Sequence, residues 1–362
     1  MRITQYKIFL YAIPYSPPLN MRGKKYKIRR GLIIGLANRD GVWAYGEYAP
    51  FPPHTEKTLL SFVDGMEILL RERIVDIPLE INSVEDLAET LRAMPDDTFL
   101  RFALESALWQ LKSREENRDP RLFLADKFLK GFSLNALITE LNSHGNQPDA
   151  KQLSSAASVY KIKVGQGDMD EEIRHVQKLC HTLPVHKKLR LDANRNWSFE
   201  QAEYFLSHMN PDKIEYIEEP LKFQQSLEKL YLYTGIPYAY DETLHNRDFK
   251  IPRKRVGLAA LIIKPALVGN MARIKKLARA GVEARKKIVF TSAFESGLGL
   301  SAIACMASAW GSPATAMGLG TFAFFSQDTL QPPFSAQNMV WQWQEALWAG
   351  QQLNSAVMVR IK

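Results

Sequence analysis

Ser158-Val159-Tyr160-Lys161-Ile162-Lys163-Val164 is a short apolar run broken by two lysines, and the pattern recurs down the chain. Leu189-Arg190-Leu191-Asp192-Ala193-Asn194 follows, then Ile214-Glu215-Tyr216-Ile217-Glu218-Glu219-Pro220, Tyr238-Ala239-Tyr240-Asp241-Glu242 and Ala260-Leu261-Ile262-Ile263-Lys264-Pro265. The charges that close these runs stand roughly 23 to 29 residues apart, about the length of a strand, a return helix and two loops. Five successive parallel strands are therefore expected to deliver Lys161 and Lys163, Asp192, Glu218, Asp241 and Lys264 at their carboxyl ends. In a βα barrel that rim is where active sites are assembled.

Working outward, Phe132 to Ile138 reads as the first barrel strand, and Lys287 to Thr291 and Ala314 to Gly318 as the last two. Between Met169 and Leu183, Ile173, Val176, Leu179 and Cys180 fall at helical core spacing. Ser198 followed by Gln201 is a capping box for a helix to about His208. Before residue 131 the pattern differs. Ile3 to Leu10, Tyr26 to Leu36 and Val42 to Glu47 alternate like strands, with a hairpin signal at Asp40-Gly41, and residues 56–130 switch to helical spacing. Two proline-rich stretches, Ile13 to Lys25 and Ala49 to Thr55, read as loops closing over the barrel mouth. The expectation is an α+β module over residues 1–130 and a barrel over 131–321. A polar, Gln-rich tail over 322–362, with Trp341, Trp343 and Trp348, should return to the first module.

With 362 residues, 46% hydrophobic and 24% charged, the chain can bury a sizeable core. The net charge of +8 comes from scattered basic residues without an arginine cluster, so it reads as a solvated surface and not a nucleic-acid interface. Cys180 and Cys305 are too few for a disulfide framework and lack metal-ligand spacing. The N-terminus has no secretory signal, and the apolar stretch from Leu298 to Phe325 is interrupted by glycines and Pro313, so it reads as a buried helix and strand. A cytoplasmic protein without a membrane span is expected, acting on a small anionic ligand.

Three carboxylates at three consecutive strand ends repel one another and raise one another's pKa values unless a cation sits among them. All-oxygen ligands suit a hard ion such as Mg²⁺. The plainer alternative is that each acid is solvated and paired with a nearby base. Lys161 and Lys163, at i and i+2, share one strand face. If that face is the barrel interior, a cation and a second ammonium lower the pKa of one lysine and fit it as a general base; if the strand is turned, both snorkel among the helices. By strand count Lys264 lies across the barrel from Lys163. Asn194 can reach the same mouth and Arg190 shares a face with Asp192, so both are expected to bind substrate. Glu219 and Glu242 are expected to face away or to support the ligands. Ser292-Ala293-Phe294-Glu295-Ser296-Gly297-Leu298-Gly299 presents small residues at a helix start. There Ser292, Ser296 and Gly297 either receive a substrate carboxylate or form a simple turn.

Lys161-Ile162-Lys163, Asp192-Ala193-Asn194, Ile217-Glu218-Glu219-Pro220, Asp241-Glu242 and Ile263-Lys264-Pro265 together resemble the enolase superfamily, in its muconate-lactonising subgroup. Gly46-Glu47-Tyr48-Ala49-Pro50 is similar to the family's capping segment, and the barrel motifs fall in family order. The resemblance implies a modified (β/α)7β TIM-type barrel with an α+β capping domain. It implies Mg²⁺, with Mn²⁺ as a substitute, on Asp192, Glu218 and Asp241. It implies Lys163 as the base, Lys264 as the opposing cation and Lys161 tuning Lys163. Lys with Mg²⁺ is a general example of base chemistry in that superfamily. The activity implied is dehydration of a succinyl-hydroxycyclohexadiene carboxylate in quinone biosynthesis. Epimerases and racemases of the same family use the same opposed lysines. A dipeptide epimerase would show an acid after the last strand, whereas Ala316 to Thr321 holds none before Asp328. A non-catalytic anion-binding barrel is the remaining, remote alternative.

Overall fold

The computed structural model describes residues 1–21, 24–138, 156–252, 254–344, 348 and 352–362. Strands β1 (Ile3–Met21), β2 (Lys24–Asn38) and β3 (Trp43–Tyr48) form an antiparallel meander. The hairpin between β2 and β3 turns at Asp40-Gly41, where Gly41 takes a left-handed φ of 77°. The proline-rich stretch read as a loop from Ile13 is instead strand: β1 runs to Met21 and pairs with β2 up to Lys24, while residues 22–23 lie outside the described set. Its prolines fit because the register is irregular between Pro14 and Leu19, where ladder N–H groups are not required.

Helices Glu56–Arg73, Val84–Thr90 and Thr98–Glu115 follow, each started by a capping side chain, Thr55, Ser83 and Asp97. Leu59, Val63, Met66 and Leu70 form the buried stripe of the first, and the last is buried almost all round. Gly46 lets the last helix approach β3: a Cβ there would lie 1.8 Å from the Ala103 carbonyl oxygen.

The barrel begins with β4 (Gly131–Ser133) and β5 (Ala136–Ile138). Next come β6 (Val159–Lys163), β7 (Lys188–Asp192), β8 (Ile214–Glu218), β9 (Tyr238–Tyr240), β10 (Leu258–Ile263) and β11 (Lys287–Phe290). From β5 to β11 they lie side by side in chain order, all parallel. Met317 and Gly318 close the ring, bridging Leu134 on one side and Thr291 on the other, with Met317 N–H donating to Ser133 O at 2.8 Å and Gly318 N–H to Phe290 O at 2.8 Å. The molecule is thus a modified (β/α)7β barrel carrying an α+β cap.

Return helices are Met169–Thr182, Phe199–Ser207, Leu227–Thr234, Met271–Glu283 and Gly297–Trp310. The second opens with the full Ser198/Gln201 capping box. Between β9 and β10 the described residues form a 3₁₀ turn, Glu242–His245, and no α-helix. Among the described residues, no helix is long and apolar enough to cross a membrane.

After the barrel come β12 (Leu330–Gln331), β13 (Val340–Gln342), β14 (Gln352–Leu353) and β15 (Met358–Arg360). The tail divides its contacts: β15 pairs with β1, whereas β13 pairs with β4, where Trp341 stacks on Phe132 at 4.9 Å. One continuous apolar core runs from the cap helices through the barrel, and a smaller one joins Tyr11, Ile13 and Ile33 of the cap to Leu298, Leu330 and Val357.

Candidate active site

Tyr160, Ile162 and Val164 point to the surrounding helices and are fully buried, so the alternating Lys161 and Lys163 point into the barrel. The alternative in which both reach out to solvent is ruled out by their partners. Lys161 Nζ donates to Glu218 Oε2 at 2.5 Å and lies 2.8 Å from Asp192 Oδ2. Lys163 Nζ donates to Asn194 Oδ1 at 3.1 Å. Lys264 Nζ donates to Asp241 Oδ2. Lys163 and Asp192 are register partners on β6 and β7, as are Asp192 and Glu218 on β7 and β8. Two, three, four, five and six strands into the ring, the five charged ends therefore converge on one mouth.

The electrostatics separate the lysines. Burial lowers Lys163, and Lys161 and Lys264 add to that, so it sits below the ordinary lysine range despite Asp192. Burial also works against the charge of Lys161, but Asp192, Glu218 and Asp241 outweigh it and hold it well above that range. Lys264 is likewise opposed by burial and raised by Asp241. Burial pushes Glu218 up to about 7, with Asp192 and Asp241 adding to the push and Lys161 opposing it. Asp192 is held low: burial would raise it, but the three lysines prevail.

Among the described residues no three His, Cys, Asp or Glu side chains are grouped as metal ligands. The acids lean instead on the ammonium groups of Lys161 and Lys264. The donor set nevertheless fits a hard divalent cation. It is all oxygen, its members repel one another, and Asp241 Oδ1 is buried with no hydrogen-bond partner.

Behind these acids stand Glu219, in the supporting place expected for it, and His245, of which the strand pattern gives no sign. Glu219, buried and with a left-handed φ of 39°, accepts from the main-chain N–H of Asp241 at 3.0 Å and of Thr243 at 2.8 Å, and from Arg195 Nε at 3.0 Å. It thereby fixes the turn that carries Asp241. His245 lies 3.7 Å from Asp241 Oδ1, and burial lowers its pKa to about 4 against the pull of Asp241, so it is neutral and makes no ion pair. Asn194, with φ of 44°, joins the two sides of the mouth by accepting from Lys163 and donating from Nδ2 to Glu242 Oε1 at 3.1 Å.

Three expectations are corrected. Arg190 does share the face of Asp192, but it lies two residues deeper, toward the barrel floor. There it pairs with Glu215 at 2.6 Å, donates to Ala316 O at 2.7 Å and packs over Tyr216. Ser296 and Gly297 do not face the mouth. Ser296 N–H (2.9 Å), Ser296 Oγ (2.8 Å) and Gly299 N–H (2.8 Å) all donate to the carboxylate of Glu47, which also takes the Tyr11 hydroxyl at 2.5 Å. Gly297 N–H donates to Asp328 Oδ1 at 2.7 Å. The helix start does hold a carboxylate, but the chain supplies it from the cap. A Cβ at Gly299 would lie 2.6 Å from Glu47 Oε2, so glycine is needed there. Ser292 remains at the rim, its hydroxyl 2.5 Å from that of Thr321.

Two open grooves, about 470 Å³ beside Glu72 to Met94 and about 840 Å³ between Glu85 and Glu283, are lined by no residue of the charged cluster.

A family model described as enolase C-terminal domain-like matches residues 149–350. The chain belongs to that family. It is 30% identical over 331 residues to the o-succinylbenzoate synthase of Edwardsiella ictaluri (strain 93-146), covering 90% of this chain and 93% of that one. It is 29% identical over 328 residues to the o-succinylbenzoate synthase of Yersinia pseudotuberculosis serotype I (strain IP32953), covering 90% and 92%. Among solved structures, the N-succinyl Arg/Lys racemase from Bacillus cereus ATCC 14579 superposes with a TM-score of 0.85 over all of both chains at 17% identity, a likeness of fold. The protein is an enzyme of the enolase superfamily.

Proposed function

We propose that this enzyme is an o-succinylbenzoate synthase, a hydro-lyase that converts 2-succinyl-6-hydroxy-2,4-cyclohexadiene-1-carboxylate to 2-succinylbenzoate in menaquinone or phylloquinone biosynthesis. The observation that carries the reading is the placement of Lys163 and Lys264 at opposed ends of the ring, two and six strands in, with Asp192, Glu218 and Asp241 on the strand ends between them. The similarity over 90% of the chain to enzymes bearing that name supports the substrate class.

Lys163 Nζ takes the proton on the carbon next to the substrate carboxylate. The electron pair left behind spreads onto that carboxylate, and Lys264, still protonated, stabilises the anion from the opposite side. The electron pair then expels the ring hydroxyl on the face of Lys163. That lysine returns its proton, so water leaves and the ring becomes aromatic. Lys161 stays charged, and its charge lowers the pKa of Lys163 and so favours the free amine. Asp192, Glu218 and Asp241 would hold Mg²⁺ or Mn²⁺, which supplies the positive charge that makes the enediolate accessible. We take residues 1–130 with the tail 322–362 as the cap of a barrel over 131–321, and the cytoplasm as the enzyme's compartment.

Asp328 supports this reading over a dipeptide epimerase. Its carboxylate accepts from Gly297, Thr329 and Phe334 main-chain N–H groups at 2.7, 2.6 and 2.8 Å, which leaves it a structural anchor and not a receptor for a substrate ammonium. The test is the purified protein with Mg²⁺, offered the cyclohexadiene substrate and, separately, a panel of dipeptides. Dehydration with no epimerisation is expected; epimerisation without dehydration would overturn the proposal.

A further inference from the structure

Arg29, on β2, is completely buried, yet its hydrogen bonds all go to main-chain carbonyls. Nη2 donates to Ala49 O at 2.6 Å and Nη1 to Pro50 O at 2.7 Å, both at the start of the capping stretch Ala49 to Thr55. Nε donates to Phe294 O at 2.8 Å, in the turn that follows β11 and 265 residues away in sequence. Glu47 and Glu295 act on its charge only through space. An apolar side chain of similar length would fill this volume without the cost of burying a guanidinium paired only to neutral acceptors. What arginine adds is a rigid fork of donors that reaches two segments at once.

Both segments are shaped to meet that fork. Phe294 has a left-handed φ of 62°, an unfavourable conformation for an aromatic residue, and it turns its carbonyl onto Arg29. Its ring stacks on Phe51 at 5.5 Å and 13°, and meets Tyr15 edge-on at 6.0 Å and Phe324 at 5.8 Å. Phe51 belongs to the cap stretch, Tyr15 to the β1 hairpin arm, and Phe324 follows the last barrel strand. Ser292, two residues before Phe294, stands at the rim against Thr321.

We propose that Arg29 is a positioning residue: it fastens the cap stretch Ala49 to Thr55 to the turn after β11, so that the two cover the barrel mouth as one piece. The fork touches no reacting atom, so it acts on how substrate is held and water excluded, and the lysine chemistry is left to Lys163 and Lys264. The kinetic arm of the test rests on the proposed dehydration; the exchange arm does not.

The experiment compares Arg29→Met and Arg29→Lys with the wild type in the full chain. Amide hydrogen exchange is followed at Ala49, Phe51, His54 and Thr55, the residues of that stretch that carry an N–H, and at 291–296, beside kcat and KM for the cyclohexadiene substrate with Mg²⁺. In Arg29→Met both segments should lose protection together, about tenfold or more, while the cap helices keep theirs. KM should rise about tenfold with kcat within about threefold, and Arg29→Lys should recover part of both. Should Arg29→Met fail to fold, Arg29→Lys carries the same comparison, with a smaller loss in both segments expected. Unchanged protection, loosening of one segment alone, or a fall in kcat at constant KM would each overturn the assignment. A wild type without turnover but with coupled exchange would sink the dehydration reading and leave the fastening intact.

Discussion

Glu47→Gln tests how the cap is seated on the barrel. The native carboxylate takes four donors, Tyr11 hydroxyl, Ser296 N–H, Ser296 hydroxyl and Gly299 N–H, at 2.5 to 2.9 Å in a buried site. It also places a negative charge at the N-terminus of the helix Gly297–Trp310. Glutamine keeps the volume but removes the charge and points an NH₂ at groups that themselves donate. Loss of the charge–dipole contact in a partly buried geometry costs up to about 2 kcal/mol. Leaving at least one buried N–H unpaired costs about 1–3 kcal/mol more. Against this, burial and the nearby Glu47 push Glu295 up to about 7, and removing the charge relieves that strain. The expected net loss is about 2–4 kcal/mol, read as a shift in the urea midpoint at unchanged slope. A variant within about 0.5 kcal/mol of wild type would show that the helix start does not depend on the cap's carboxylate.

Lys163→Ala and Lys264→Ala should each lower dehydration by at least about a thousandfold with unchanged circular dichroism; substantial turnover in Lys163→Ala would remove it as the base. Exhaustive chelation should abolish turnover, and added Mg²⁺ or Mn²⁺ should restore it, which a titration of rate against metal checks. Glu105 has a folded-state pKa of about 8, raised from 4.5 by burial against a hydrogen bond from Met271 N–H; the Arg101 guanidinium at 3.8 Å is too distant to offset it. The folded state therefore holds a proton that the unfolded state releases, so stability should fall as pH rises from about 4.5 to about 8, by up to about 1.4 kcal/mol per unit. Glu105→Gln should flatten that slope in chemical denaturation at a series of pH values.

The staves of the barrel were legible because a strand alternates strictly, so a charge at the end of an apolar run declares both a strand end and a facing direction. That is why Lys161, Lys163, Asp192, Glu218, Asp241 and Lys264 converge as the pattern implies. Depth was harder to read. Two residues along a strand preserve the face but move a side chain about 6.6 Å down the barrel, which carries Arg190 from the mouth to the floor. The helix start at Ser296 looked like a vacant receptor because its occupant, Glu47, is 249 residues away in sequence. Arg29 was hidden for the same reason: its partners are main-chain groups brought close only by the closed ring, whereas Glu219 supports the Asp241 turn as its place beside Glu218 suggested. The 3₁₀ crossover at Glu242–His245 gives no strong signal, since a span long enough for a helix need not contain one.

The outer edge of the cap sheet is supplied by Met358–Arg360 lying against Phe9, Leu10 and Tyr11. Those three residues are translated after the whole barrel, so β1 waits through nearly all of synthesis with its backbone unpaired on that side. A nascent chain in this state offers a bare strand to any neighbour, and holdase chaperones or slow elongation should affect its yield more than its final stability. Transplanting residues 352–362 ahead of Met1 in a permuted chain would let the sheet be completed first. Soluble expression should then become less sensitive to temperature.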